Sequence, residues 1–136
     1  PDIRFAGYTQ DALKEFAEAQ LVLAFLDNRP APTAEAIGVE AAAYLNGLAE
    51  AASELRRAIL DGLRRGETAR GEQLLQLMDD VYSALVTVDY PDAITGGLRR
   101  TTDALRAVLE RTRGDMTAAI RQDQLVASMR ELEGHL

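Results

Sequence analysis

The 136-residue sequence predicts an all-α fold, an antiparallel helical bundle forming one domain over residues 1–136. Three observations carry that prediction. Apolar residues recur at three- and four-residue spacing along most of the chain, and no segment alternates convincingly with period two. Aromatic residues make up only 5% while alanine is abundant, which suits closely packed helices better than a sheet. Hydrophobic residues reach 47%, enough for a packed core in a chain of one-domain length.

The first helix is predicted from Ala12 to Leu26, with Thr9 as its N-cap and Asp11 in the first turn, closing near Asp27 and Asn28. Residues 27–38 read as a loop marked by Pro30, Pro32 and Gly38. A second helix is expected from about Val39 to Arg65, stopped by Gly66, with Arg64 and Arg65 in its last turn. Its core stripe is Leu45, Leu48, Ala52, Leu55, Ile59 and Leu63. A third helix spans about Glu67 to Val88 and buries Leu74, Leu75, Met78, Val81, Tyr82 and Leu85. Pro91 ends that segment and can open the first turn of the next, whose start Gly96 and Gly97 weaken. From Leu98 a long stripe runs through Leu105, Leu109, Thr112 and Met116. Gly114 is a point of bending or breakage, and residues 117–133 are again helical in pattern.

Composition closes off several chemistries. There is no cysteine, so disulfides and thiolate catalysis are excluded. The single histidine, His135, stands one residue from the end. It supports neither a di-iron bundle built on Glu-x-x-His motifs nor a Ser-His-Asp triad. No P-loop or Gly-x-Gly-x-x-Gly occurs. No apolar run reaches 18 residues, so no membrane span is expected and the cytoplasm is the expected location. The net charge of -7 gives no long-range attraction for nucleic acid. Contact with nucleic acid would need a local basic patch or carboxylates neutralised by metal.

Against that background two acid pairs stand out. Glu15 and Glu18 lie three apart on the first helix, and Glu50 and Glu54 four apart on the second, so each pair projects from one helix face. On a helical wheel Glu15 and Glu18 share a broad face with Ala19, Val22, Phe25 and Leu26, which points that face toward another helix or subunit. Glu50 and Glu54 share theirs with Ala43, Gly47, Arg57, Ala58 and Asp61, where small residues would permit close approach. If the two faces meet, four carboxylates converge and suit a hard, oxygen-ligated cation, Mg²⁺ or Mn²⁺. If they do not, the acids are ordinary solvated charges. Arg56 and Arg57 follow directly and can hold phosphates beside such a site, Arg57 being preferred because it lies on the acid face. Arg64, Arg65, Arg99 and Arg100 are further candidates. Tyr8, Tyr44 and Tyr90 can stack on bases but equally suit packing.

Three stretches, GYTQDALKEFAEAQLVLAFL, YLNGLAEAASELRRAILDGLRRGE and LLQLMDDVYSALVTVDYPDAITGGLRRTTDALRAVLERTRGD, resemble the translin family over roughly residues 5–115. Within the family the chain looks most like archaeal Trax-like proteins. DYPDAITGGLRR and TRGD are the most specific segments. The resemblance implies an all-α protein assembling as a homo-oligomer, an octamer in the family, that binds single-stranded RNA or DNA. A Trax-type subunit would be a Mg²⁺-dependent endoribonuclease, whereas a translin-type one would be a non-catalytic binding module. The family's Glu-x-x-Glu matches Glu15-Phe16-Ala17-Glu18. The acid of its next helix, often Asp, matches Glu50, and its second acid matches Glu54, followed by Leu55, Arg56 and Arg57. The implied roles are metal binding by Glu15, Glu18 and Glu50, with Glu54 ligating or orienting. The family's first long helix, which precedes the Tyr8-Thr9-Gln10 region, has no counterpart here, so the chain reads as N-terminally truncated relative to the family.

Overall fold

The computed structural model describes residues 6–88 and 97–135. Five helices form among them: α1 (Ala6–Leu26), α2 (Ala34–Ile37), α3 (Ala41–Leu63), α4 (Thr68–Leu85) and α5 (Leu98–Gly134). The all-α prediction stands, and no strand occurs among the described residues.

α3 is the central element, packing against α1, α4 and α5, and α4 also packs against α5. Its buried residues therefore occupy more than one face: Ala51, Ala52, Leu55 and Ile59 in the main core, and Ala43 and Gly47 toward α1. Leu45, Leu48 and Leu63 of the predicted stripe are only half-buried and pack at its margin. Leu74, Met78, Val81 and Leu85 of α4 meet Leu105, Leu109 and Met116 of α5 in the same core. Each such aliphatic side chain contributes about 1.5–3 kcal/mol by leaving water. Gly66 ends α3 as expected. It takes φ of 75°, and the Glu67 and Gly66 amides return to the carbonyls of Gly62 and Leu63.

α3, α4 and α5 alternate in direction. Arg56 of α3 and Asp115 of α5 lie side by side, and Arg113 of α5 pairs with Asp79 of α4. α1 runs in the same sense as α3. Its Leu13 and Ala17 meet Val39 and Ala43 at the start of α3, and its C-terminus reaches Arg70 at the start of α4. Residues 27–40 carry the chain back between them.

Four local expectations change. α1 is described from Ala6, so Thr9 lies inside the helix and does not cap it. The predicted loop 27–38 contains the one-turn α2, because the Thr33 hydroxyl accepts from the Ala36 amide at 3.1 Å and Gly38 closes the turn with φ of 71°. Leu63 is the last residue of α3, so Arg64 and Arg65 follow the helix instead of occupying its last turn. Gly114 neither breaks nor ends α5, which runs through it for 37 residues. A helical glycine costs only about 1 kcal/mol, and the ion pairs of Arg113 with Asp79 (3.2 Å) and Asp115 with Arg56 (2.8 Å) hold the helix on either side. Beyond the hydrogen bond from Thr68 to Asp123 (2.7 Å), α5 presents Leu125, Met129 and Leu132 to solvent. Pro91 and its proposed role at a helix start, together with Tyr90 and Gly96, lie outside the described residues.

Candidate functional site

The two acid-bearing faces meet, and a glycine brings them together. α1 crosses α3 with Ala17 over Gly47. A Cβ on Gly47 would lie 2.9 Å from the Ala17 Cβ, 3.0 Å from the Lys14 carbonyl oxygen and 3.1 Å from the Glu18 amide nitrogen. Two of those three neighbours are backbone atoms that cannot turn aside, so only hydrogen fits. The α1 backbone at residues 14–18 is thereby seated on α3, one turn before Glu50.

Burial, a hydrogen bond with Glu50 and the charges of Glu50 and Glu54 push the Glu18 carboxyl up to about 7, with Lys14 opposing. Glu15 is exposed but lines the same open pocket as Glu18 and Glu54, against a wall of Ala19, Val22 and Leu23. The four predicted acids thus share one region, Glu18 and Glu50 in contact and Glu15 and Glu54 at its rim. Among the described residues no group of three or more acidic or histidine side chains is set to hold a metal ion. The donors present are all carboxylate oxygens, the kind that a hard divalent cation takes. The wheel placed the contact along Glu15, Glu18, Ala19, Val22, Phe25 and Leu26. Phe25 of that face is buried, but Leu26 is exposed, and the other buried residues of α1 are Ala17, Leu21 and Ala24.

Lys14 is the residue that sequence reasoning passed over. It is the only lysine of the chain. Its Nζ lies 3.3 Å from the Glu50 Oε1, both side chains being about one-third exposed. The sole sequence signal is its position one turn before Glu18, which reads as a common surface pair.

The two candidate arginines diverge. Arg56 turns to α5, donating to the Thr112 hydroxyl at 3.1 Å and pairing with Asp115 at 2.8 Å. Arg57 is exposed, with no carboxylate partner among the described residues. Arg57 and Arg64 line an open groove between α3 and α5 together with Arg56, Asp61 and Glu54, and Glu54 also lines the acidic pocket. An arginine-bearing groove and a carboxylate pocket therefore share an edge. Arg65 is paired with Glu67 at 2.9 Å, and Arg99 and Arg100 are exposed at the start of α5. Tyr44 is a packing residue, its hydroxyl donating to the Pro32 carbonyl at 2.7 Å. The side chains of Tyr8 and Tyr90 lie outside the described residues. No described helix is long and apolar enough to cross a membrane.

No protein-family model matches the chain. It is 31% identical over 130 residues to an uncharacterized protein of Methanocaldococcus jannaschii, a match covering 95% of this chain and 58% of that protein. Among solved structures it is similar to AfC3PO, with 34% identity and a TM-score of 0.79 over 90% of this chain and 64% of that one. It is likewise similar to AfC3PO in a complex with duplex RNA, with 32% identity and a TM-score of 0.76 over 88% of this chain and 66% of that one. The chain therefore spans about three-fifths of the length of its relatives. AfC3PO is an archaeal translin/Trax-type complex, and the likeness supports a translin-like family for this chain.

Proposed function

We propose that this translin-like chain is a Trax-type subunit, a metal-dependent endoribonuclease that works within an oligomer in the cytoplasm. The observation that carries the reading is the contact of Glu18 with Glu50 across the α1–α3 crossing, with Glu54 close enough to act on Glu18. Likeness to a protein whose structure has been solved with duplex RNA supports RNA as the ligand class. Glu15, Glu18 and Glu50 would hold Mg²⁺ or Mn²⁺, and Glu54 would ligate or orient. A bound divalent ion would supply positive charge against the scissile phosphate. Arg57 and Arg64 are placed to grip flanking phosphates along the groove that Glu54 shares with the pocket. Arg56 serves by fixing α3 to α5. Leu125, Met129 and Leu132 on α5 offer apolar surface for association with further copies, whose number light scattering would read.

Labelled single-stranded and duplex RNAs, incubated with the protein in Mg²⁺, Mn²⁺ or EDTA, test the activity. Cleavage that requires metal and falls about a hundredfold or more in Glu18→Gln and in Glu50→Gln is expected. Full activity in either variant, or cleavage unaffected by EDTA, would overturn it.

One observation favours a second reading. Among the described residues no group of three or more acidic or histidine side chains is set to hold a metal ion, as suits a subunit that binds single-stranded RNA or DNA without cutting it. Tight, salt-dependent binding with no hydrolysis in either metal would select that reading.

A further inference from the structure

The acid cluster already contains a cation, and it belongs to the chain. Lys14 Nζ stands 3.3 Å from the Glu50 Oε1, on the carboxylate that also meets Glu18. The placement is built into the helix crossing. The Lys14 carbonyl and the Glu18 amide are the backbone atoms pressed against Gly47, so the root of the lysine side chain is seated against α3. No other basic side chain pairs with Glu18, Glu50 or Glu54 among the described residues, since Arg56 is engaged by Asp115 and Arg64 faces Asp61. The residue type matters. Every other non-histidine basic residue of the chain is arginine. A guanidinium grips a carboxylate in a planar fork, whereas an ammonium is a point charge on a flexible stem that can withdraw into water.

We propose that Lys14 is the resident counter-cation of the acid cluster and sets the threshold for metal loading, a divalent ion binding only as the ammonium leaves Glu50. This rests on the metal-site reading above. Without metal, Lys14 relieves repulsion among acids that the crossing forces together. As metal arrives, the same charge repels it. Lys14 is a positioning residue, acting on the cation through Glu50. Its removal has two effects of opposite sign that a simple surface ion pair would not combine: a less stable metal-free protein and a tighter metal site.

Calorimetric titration of Mn²⁺ into the wild type, Lys14→Met and Lys14→Arg, with thermal unfolding of each in EDTA, tests it. Affinity is expected to rise about fivefold in Lys14→Met, the factor equivalent to about 1 kcal/mol for a partly exposed ion pair. It is expected to fall by about the same factor in Lys14→Arg, and Lys14→Met should melt below wild type in EDTA. Arginine keeps the charge and so preserves the metal-free fold, which separates a folding defect from the effect sought. Affinities equal within about twofold across the three proteins would overturn the role of Lys14 alone. Absence of Mn²⁺ uptake by both the wild type and Lys14→Met would overturn the metal site itself, and this role with it.

Discussion

Replacing Glu18 with glutamine makes the stability of the metal-free chain a measure of the α1–α3 contact. The Glu18 carboxyl sits at about 7 in the folded chain against an ordinary 4.5, because burial, the hydrogen bond to Glu50 and the charges of Glu50 and Glu54 disfavour its ionised form. A carboxyl whose folded pKa is raised binds its proton more tightly when folded. Its stabilising contribution is therefore complete below about pH 4.5 and lost as pH rises through about 7. The full gap corresponds to about 3 kcal/mol, and solvent screening at this half-exposed position reduces it to about 1 kcal/mol. Glutamine keeps a donor for Glu50 and carries no charge, so it mimics the protonated form at every pH. Thermal unfolding in EDTA, followed by circular dichroism, should find the two proteins nearly level at about pH 4.5. At about pH 8.5 Glu18→Gln should be the more stable by about 1 kcal/mol, or about 4 °C. A variant less stable than wild type at the higher pH, or a difference that does not change with pH, would refute the contact.

Two further predictions rest on packing and charge. Gly47→Ala should destabilise the fold by about 1–2 kcal/mol in urea denaturation despite alanine's better helix propensity, because its Cβ would meet backbone atoms of α1. The pH dependence tied to Glu18 should shrink with it, and a change below about 0.5 kcal/mol would rule out the tight crossing. The neighbouring arginines should separate in RNA-binding and denaturation assays. Arg56→Ala should lose about 1–2 kcal/mol of stability with its bonds to Asp115 and Thr112. Arg57→Ala should leave stability within about 0.5 kcal/mol and weaken RNA binding with a salt slope shallower by about one, and the reverse pattern would reassign the two residues.

The elements were legible because their signals are local. Gly66 stops α3 through a left-handed turn that few other residues adopt, and Leu105, Leu109, Thr112 and Met116 lie on the buried face of α5 as their spacing implies. The acid pairs were legible as pairs, and the small Gly47 beside them marked where a neighbour can approach. The line of contact was harder to read. A wheel weights large apolar residues, which drew attention to Val22 and Leu26, whereas the crossing is set by the smallest pair, Ala17 and Gly47. Lys14 was invisible as a functional residue because its partner lies on another helix, and spacing within α1 carries no information about α3. Helical phase already set Arg57 on the acid face, and the position of α5 adds what phase cannot, that Arg56 is taken up by Thr112 and Asp115. The one-turn α2 rests on a single hydroxyl cap, too weak a sign to outweigh the prolines around it.

Arg70 gives the α1–α3 contact a second anchor. Its guanidinium donates to the Leu26 carbonyl at 2.7 Å and to Asn28 Oδ1 at 2.8 Å, tying the last turn of α1 to the first turn of α4. Two packed helices can ratchet past one another by one turn, a shift of about 5.4 Å. Such a slip would carry Glu18 off Glu50 and lift Ala17 out of its seat on Gly47. It would also drag the end of α1 away from a side chain rooted on a different helix. With one fixed point in the middle of α1 and another at its end, sliding has to break both at once. The spacing of the carboxylates thus behaves as a fixed register.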